Sequence, residues 1–180
     1  PSLKIKFDEY LAGQSLSGLE NMTLNNNKQD PSNMNQCIGY RLFDAAGVPA
    51  PRCNFARVSV NGRPLGIYTH VEGIRKPFIG RHFSDNEGNL YEGTLSDFRD
   101  GWMATFERKT NESDADRSDL EAVQAATALD DAGMVTELEQ RIDLPGFYSF
   151  WAVETIISHW DGYAGNNNNY YLYADPQAGK

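Results

Sequence analysis

The segment from Pro145 to about His159 constrains the fold most, because it is apolar on nearly every side of a helix. Asp143 stands just before it and can cap the helix, and proline is favoured in the first helical turn. A helix that is apolar on most sides is usually buried at the centre of a domain. We therefore expect this to be the most buried helix of the chain, with the side chain of Trp151 enclosed. Its apolar residues are Phe147, Phe150, Trp151, Val153, Ile156 and Ile157, and Trp160 follows them.

Strand patterns dominate the first half of the chain. Residues 4–7 alternate polar and apolar side chains, as a half-buried strand does. Residues 56–60 and 65–71 flank Asn61-Gly62, a dipeptide typical of two-residue hairpin turns. Helical patterns occupy most of the second half. The sequence therefore predicts an α+β fold arranged in two lobes.

The dipeptide Asp30-Pro31 predicts the start of a helix, with Asp30 as the N-cap and Pro31 as the first helical residue. We predict that this helix runs to Ala46. Cys37 lies within it, and Cys53 lies just before the next strand. Because the connection is short, we expect the two Cα atoms to lie within the ~7 Å that a disulfide requires. Two unpaired buried thiols are the alternative.

Charge and hydropathy exclude two classes of partner. The 180 residues carry a formal net charge of −9, which repels nucleic acid phosphates and anionic lipid. No apolar run reaches membrane-spanning length. We therefore expect neither nucleic acid binding nor a membrane span, although a local basic pocket for one nucleotide remains compatible with this composition.

The polar loop after the apolar helix contains the candidate catalytic and metal-binding residues. Asp161 opens the loop, and Asn166 follows five residues later. Phosphoryl transfer uses a carboxylate that accepts the proton of the attacking hydroxyl, together with oxygen ligands for magnesium. In protein kinases an Asp and an Asn at this spacing perform the two tasks. A helix-ending Asp beside an Asn-rich turn has the same pattern, so spacing alone leaves both interpretations open.

Two longer segments run from Gly47 to Arg52 and from Trp160 to Tyr173. They resemble the spore coat protein H (CotH) kinase family, and other short matches occur in the family's order along nearly the whole chain. Those matches are Leu24-Asn25-Asn26, Gln29-Asp30-Pro31-Ser32, Tyr40-Arg41-Leu42-Phe43, Val60-Asn61-Gly62, Gly66-Ile67-Tyr68, Val71-Glu72 and Gly88-Asn89-Leu90-Tyr91.

This resemblance implies a divergent protein-kinase-like domain over residues 1–180. Its N-lobe would cover about residues 1–110 and its C-lobe about residues 111–180. The implied activity is that of an atypical protein kinase, which uses ATP and magnesium to phosphorylate Ser or Thr residues of proteins. The implied location is extracytoplasmic: secreted, or at a spore or cell surface. The resemblance gives no oligomeric state.

The resemblance also implies roles for particular residues. Asp161 matches the catalytic-loop aspartate, and Asn166 matches the magnesium-binding asparagine, with Asn169 as the alternative. Lys6 matches the lysine that reaches the ATP phosphates, with Lys4 as the alternative.

The sequence does not decide which residue contacts this lysine. Family members often carry a Glu where this chain has Gln36, and a glutamine could offer the lysine only a neutral hydrogen bond. Glu72 is the other candidate, and we place it with Lys6 at the nucleotide site.

Two family features lie outside the 180 residues. Members usually carry a Gly- and Ser-containing segment before the lysine strand. They also carry a Pro-Trp-Asp motif after the Tyr-rich strand, and the Asp of that motif binds magnesium. We therefore expect an incomplete copy of the catalytic domain, which leaves its activity in isolation open. The alternative function is a non-catalytic surface module for coat assembly or adhesion that keeps the kinase-like fold.

Glu154 interrupts the apolar helix. A buried carboxylate requires a partner, so we expect Glu154 to form a hydrogen bond or salt bridge with a structural role. His159 adjoins Trp160-Asp161, and we expect a structural role for it as well.

Overall fold

Two antiparallel sheets and six α-helices make up the computed structural model, which describes all residues from Pro1 to Lys180. The predicted α+β class is confirmed. Contacts divide the chain into two compact units: unit 1 is Pro1–Ala45 with Pro49–Ile74, and unit 2 is Ala46–Val48 with Arg75–Lys180. The lobe boundary near residue 110 stays a prediction. None of the six helices combines the length and the apolar character needed to cross a membrane.

Unit 1 is built on a four-stranded sheet with the order β1-β2-β4-β3. The predicted turn at Asn61-Gly62 joins the last two strands, and both of its residues have positive φ, at 51° and 77°. This is the backbone that a tight two-residue hairpin requires, which explains why asparagine and glycine occupy it. The elements of unit 1 are β1 (Leu3–Lys6), β2 (Asn21–Asn25), α1 (Asn35–Ala45), β3 (Cys53–Val60) and β4 (Arg63–Val71).

The two faces of this sheet differ. Leu24, Val58 and Tyr68 form a small buried cluster on one face. The other face carries α1, because Cys53 of β3 is disulfide-bonded to Cys37 of that helix. Their Cα atoms are 5.4 Å apart, so the predicted pairing is confirmed.

The start of α1 differs from the sequence prediction. The helix begins at Asn35, and Pro31 lies before it. The reason is local: the carboxylate of Asp30 accepts hydrogen bonds from the backbone N–H groups of Ser32 and Asn35, at 3.0 and 2.8 Å. Asp30 therefore organises a turn before the helix, and the prediction that it caps a helix starting at Pro31 was wrong.

Unit 2 contains a three-stranded sheet with the order β6-β5-β7. Its core consists of the buried residues Tyr91, Phe106, Leu120 and Tyr170. A single 3₁₀ turn, Met103–Thr105, precedes β6. The other elements are α2 (Lys76–His82), β5 (Asn89–Thr94), β6 (Phe106–Arg108), α3 (Ser118–Thr127), α4 (Asp131–Arg141), α5 (Leu144–Ile156), α6 (Tyr163–Asn166) and β7 (Asn168–Ala174).

The apolar helix α5 is capped by Asp143, as predicted, but it is not enclosed. Only Val153 and Glu154 are buried in it, whereas Trp151 is 46% exposed. One helical face packs inward and the opposite face, at positions 148, 151, 152, 155 and 156, is exposed. The prediction that this is the most buried helix was therefore wrong, because apolar composition on all sides does not by itself bring neighbours to all sides.

Candidate functional site

The loop that follows α5 leads through Asp161 into the short helix α6. The sequence analysis predicted only an irregular loop here, and α6 was missed because four residues show no helical periodicity. Asn167 ends this helix in the left-handed conformation, with φ of 50°. An asparagine-rich segment suits this path, since asparagine tolerates positive φ better than most residues.

Three asparagine side chains converge on Asp161. The Nδ2 groups of Asn166 and Asn168 donate to its Oδ1 at 2.8 and 3.2 Å. Nδ2 of Asn169 donates to its Oδ2 at 3.0 Å and to its backbone carbonyl at 2.8 Å. The aspartate is therefore fixed in orientation by neighbours from α6 and from the start of β7. The sequence analysis did not single out Asn168, although the run of four asparagines was the available signal.

These hydrogen bonds also favour the charged form of the carboxyl group. The side-chain hydrogen bond from Asn166, followed by that from Asn168, holds the pKa of Asp161 below its ordinary value. Slight desolvation opposes this effect, while Asn169 and the charge of His159 contribute in the same direction as the first two. Asp161 is thus kept as an ionised carboxylate.

A β-bulge aims Asn169 at Asp161. Gly93 of β5 is paired with Tyr170 of β7, and the next residue, Thr94, is paired with Asn168. Asn169 lies between these two partners and is therefore the extra, unpaired residue of the bulge. Its φ is +53°, which lets it leave the regular alternation of side chains along the strand. Bulges of this kind often redirect a side chain beside a functional site.

Glu154 connects the helix to the loop. Its carboxylate is 2% exposed and accepts hydrogen bonds from the backbone N–H groups of Tyr163 and Ala164, at 3.2 and 3.1 Å. His159 contacts the same carboxylate through Nδ1 at 3.1 Å. The prediction that Glu154 finds hydrogen-bond partners is confirmed. The structural role of His159 stays a prediction, which its contact with Glu154 supports.

The predicted lysines lie on β1 in unit 1. Across the sheet, Lys4 of β1 is paired with Thr23 of β2. Thr23 is paired with Val71 of β4, and Val71 is paired with Cys53 of β3. Directly opposed residues share a face of the sheet, so Lys4 and the equivalent position Lys6 lie on the face that carries α1. Lys6 forms ion pairs with Asp8 and Glu9, with nitrogen to oxygen distances of 4.0 and 3.2 Å.

The two candidate partners of the lysine have contacts of their own. Glu72 accepts hydrogen bonds from the guanidinium of Arg52 at 2.9 and 3.2 Å, and from the backbone N–H of the same residue. Gln36 accepts from Asn25 and donates to Tyr40. The structure thus anchors Glu72 to the segment that begins β3 and Gln36 to the neighbouring strand β2. Their roles toward Lys6 stay predictions.

The predicted site residues fall into two groups. Lys6 and Glu72 belong to unit 1, whereas Asp161, Asn166 and Asn169 belong to unit 2. Within unit 2 the structure brings Asp161 and both asparagines together through direct hydrogen bonds. We also expect Lys6 to face a common cleft with Asp161 and Asn166, which stays a prediction.

The fold and the site together define a broad class: an α+β protein whose polar site is centred on one ionised carboxylate and several amide side chains. The family model described as CotH kinase protein matches residues 1–180. The chain therefore belongs to the CotH kinase protein family, and the resemblance found in the sequence is confirmed.

Two relatives from Bacillus subtilis (strain 168) agree with this membership. The chain is 21% identical over 177 residues to inner spore coat protein H, across 92% of this chain and 48% of that protein. It is 39% identical over 59 residues to an inner spore coat protein H-like protein, across 33% of this chain and 19% of that protein. The chain thus spans about half or less of the curated relatives it matches.

Proposed function

We propose that this chain belongs to an atypical protein kinase that transfers phosphate from ATP to Ser or Thr residues of proteins. The observation that carries the proposal is the convergence of three asparagine amides on Asp161. Membership of the CotH kinase protein family supports it. A divergent kinase-like fold, with ATP and magnesium as cofactors, is part of the same proposal.

Asp161 would act on the hydroxyl that is phosphorylated. An ionised carboxylate accepts a hydrogen bond from a Ser or Thr hydroxyl and takes up its proton as the hydroxyl oxygen bonds to the γ-phosphorus. In the same step the bond from that phosphorus to the bridging oxygen breaks, and ADP leaves. The hydrogen bonds of this carboxylate to Asn166, Asn168 and Asn169 fix the direction of its oxygens before substrate binds. The protein would thus position the reacting hydroxyl and supply charge beside it, and these are the main contributions that proteins make to phosphoryl transfer.

The site fits magnesium in its donor chemistry. Magnesium prefers oxygen ligands, and Asp161, Asn166 and Asn169 all carry side-chain oxygens. Asn166 is the first candidate ligand and Asn169 the second, because each reaches Asp161 by its amide nitrogen and retains its amide oxygen. When bound, the metal would neutralise charge on the ATP phosphates.

The nucleotide would be held by residues of unit 1. Lys6 or Lys4 would contact the ATP phosphates, because both lie on the α1 face of β1 and carry a positive charge. Glu72 would orient the lysine or stabilise the strand end next to it through Arg52. Gln36 on α1 is the neutral alternative.

The location we propose is extracytoplasmic, at a spore or cell surface. Both curated relatives are named as spore coat proteins. The disulfide between Cys37 and Cys53 supports an oxidising environment. The substrate would accordingly be a protein of that compartment.

A labelled-ATP transfer assay on the full-length protein tests the proposal. Asp161→Ala should abolish transfer while the melting temperature stays that of the wild type. Asn166→Ala should raise the magnesium concentration needed for half-maximal transfer. Asp131→Ala, which removes an exposed carboxylate of α4, is the matched control and should leave transfer unchanged. Transfer by Asp161→Ala at the wild-type rate would overturn the proposal.

One observation favours the second candidate, a non-catalytic coat-assembly or adhesion module. Large apolar side chains such as Tyr148, Trp151 and Ile156 are exposed along one face of α5, and exposed apolar patches often mark interaction surfaces. Absence of any ATP-dependent transfer by the wild-type protein, with magnesium present, would favour this candidate.

A further inference from the structure

Glu154 is the least exposed charged residue of unit 2, and its position in an apolar helix is costly. It is 2% exposed and stands next to the buried Val153. Burying a carboxylate without hydrogen-bond partners is strongly unfavourable, so its contacts must repay a large desolvation cost. Those contacts all lead to one place, the loop that carries Asp161.

The carboxylate of Glu154 holds both sides of that loop. His159, two residues before Asp161, contacts Oε1 through its ring. Tyr163 and Ala164, two and three residues after Asp161, donate their backbone N–H groups to Oε1 and Oε2. One buried group in a helix therefore fixes the chain before and after the aspartate, while making no contact with the aspartate itself.

The fit around Glu154 leaves no spare room. Gly162 follows Asp161 directly, and a Cβ atom added there would collide with Oε1 of Glu154 and with Nδ1 of His159. The φ angle of Gly162 is −98°, which any residue can adopt. Glycine is therefore required here for the approach of the carboxylate and not for the backbone conformation.

Charge matters to this arrangement as well as shape. A carboxylate offers two acceptor oxygens, which here meet two backbone donors and the ring of His159. A glutamine of the same size offers one acceptor and places an N–H₂ group where the second acceptor stood. One buried donor of the loop would then face another donor, which is unfavourable for the observed geometry.

We infer that Glu154 is a positioning residue for the Asp161 loop: it sets where Asp161 and its asparagine neighbours stand, acting through the backbone of residues 159–164. It touches neither substrate nor metal. Its effect on phosphate transfer rests on the proposed function, whereas its effect on the loop does not.

The test compares Glu154→Gln with Asp130→Asn. Both replace a carboxylate that accepts backbone N–H groups at a helix start, but Asp130 serves α4 through Gly133. Four quantities are measured on the full-length protein: the melting temperature, the exchange rates of the amide hydrogens of residues 159–169 by NMR, kcat, and KM for ATP. The exchange rates report on the loop whether or not the protein is a kinase.

We expect faster exchange at Tyr163 and Ala164 in Glu154→Gln and no change there in Asp130→Asn. The kcat should fall on the order of 10²-fold, because a misplacement of about 1 Å has that effect, while KM for ATP stays within about twofold. Gly162→Ala, which leaves Glu154 intact but displaces it, should reproduce both changes and keeps the inference testable if Glu154→Gln does not fold.

Each result decides the matter. Unchanged exchange at Tyr163 and Ala164 in the two variants overturns the inference, whatever the activity. Faster exchange with an unchanged kcat shows that Glu154 only stabilises the fold, which overturns the positioning role. If the wild type transfers no phosphate, the proposed function fails, and the exchange rates alone decide whether Glu154 holds the loop.

Discussion

The two units of this protein are stabilised by different means. Unit 1 has a small buried cluster centred on Leu24, Val58 and Tyr68, and a disulfide that fixes α1 to its sheet. Unit 2 has no disulfide, and its larger aromatic core includes Tyr91 and Phe106. Disulfides are common in domains that bury too few side chains to build a sufficient hydrophobic core. This comparison indicates that the two units respond differently to reduction, to core mutations and to alkaline pH.

Charge separates the two units as well. Unit 1 carries seven Lys and Arg against six Asp and Glu, whereas unit 2 carries nine against nineteen. Unit 1 therefore has a net charge of +1 and unit 2 one of −10, so the negative charge of the chain lies in the unit that contains Asp161. A field of this sign repels phosphate groups, so the proposed ATP binding would require cations such as magnesium.

The largest expected effect is on the core of unit 2. Phe106 on β6 is 1% exposed, and Phe106→Ala should lower the free energy of unfolding by about 3–5 kcal/mol. The matched control is Phe55→Ala on β3, where the ring is 45% exposed and the expected change is within about 0.5 kcal/mol. Urea unfolding followed by tryptophan fluorescence measures the effect in unit 2, which contains all three tryptophans. Far-UV circular dichroism in the same urea series measures the effect of Phe55→Ala, since it also reports on the strands of unit 1. Equal effects of the two variants would contradict the contrast between the units.

The next effect concerns the disulfide. The double variant Cys37→Ser, Cys53→Ser opens a link across a sequence separation of 16 residues, which should cost unit 1 about 3 kcal/mol. Amide hydrogen exchange in β2 and β4 should accelerate, while the tryptophan transition of unit 2 stays in place. A tryptophan transition that shifts by the same amount would show that the link supports both units.

A smaller effect should appear at alkaline pH. Burial raises the pKa of Tyr91 and of Tyr170 in unit 2. An unfolded tyrosine titrates near pH ~10, so the folded state holds these protons more tightly. Their contribution to stability is complete below that pH and declines as the pH rises toward the folded-state pKa.

Tyr170→Phe tests this dependence. The variant loses a hydrogen bond to the carbonyl of Ser96, so it should be about 1 kcal/mol less stable than the wild type at pH 8. Its stability should then decline less steeply than that of the wild type above pH ~10. Tyr148→Phe, at an exposed position of α5, is the control and should follow the wild type. Parallel curves for wild type and Tyr170→Phe would contradict the assignment.

The smallest effect concerns helix capping. Asp130→Ala removes the N-cap of α4 and should cost about 1 kcal/mol, whereas Asp130→Asn should restore most of it. In unit 1, Asp30→Ala should instead accelerate amide exchange at Ser32 and Asn35 without shifting the tryptophan transition of unit 2. If both aspartates affect the same transition, the two units do not respond separately.

Local features of the fold were predicted where neighbouring residues alone decide the structure. The Asn61-Gly62 turn and the Asp143 cap depend on a few adjacent backbone groups, and both occur as the sequence indicated. The start of α1 was misplaced because Asp30 can bind the N–H groups of a turn as well as those of a helix. Both arrangements satisfy the same carboxylate, so sequence cannot choose between them.

For the site, the sequence by itself determined the residue types, their spacing and the family. The aspartate and the asparagine five residues apart lie within a long series of motifs that come in the family's order. Tertiary structure decided which groups meet. The bulge at Asn169 depends on the register of β7 against β5. The hydrogen bonds between Glu154 and the loop of residues 159–164 depend on which face of α5 points inward. The exposure of Trp151 was decided in the same way, because burial depends on neighbours that no local pattern specifies.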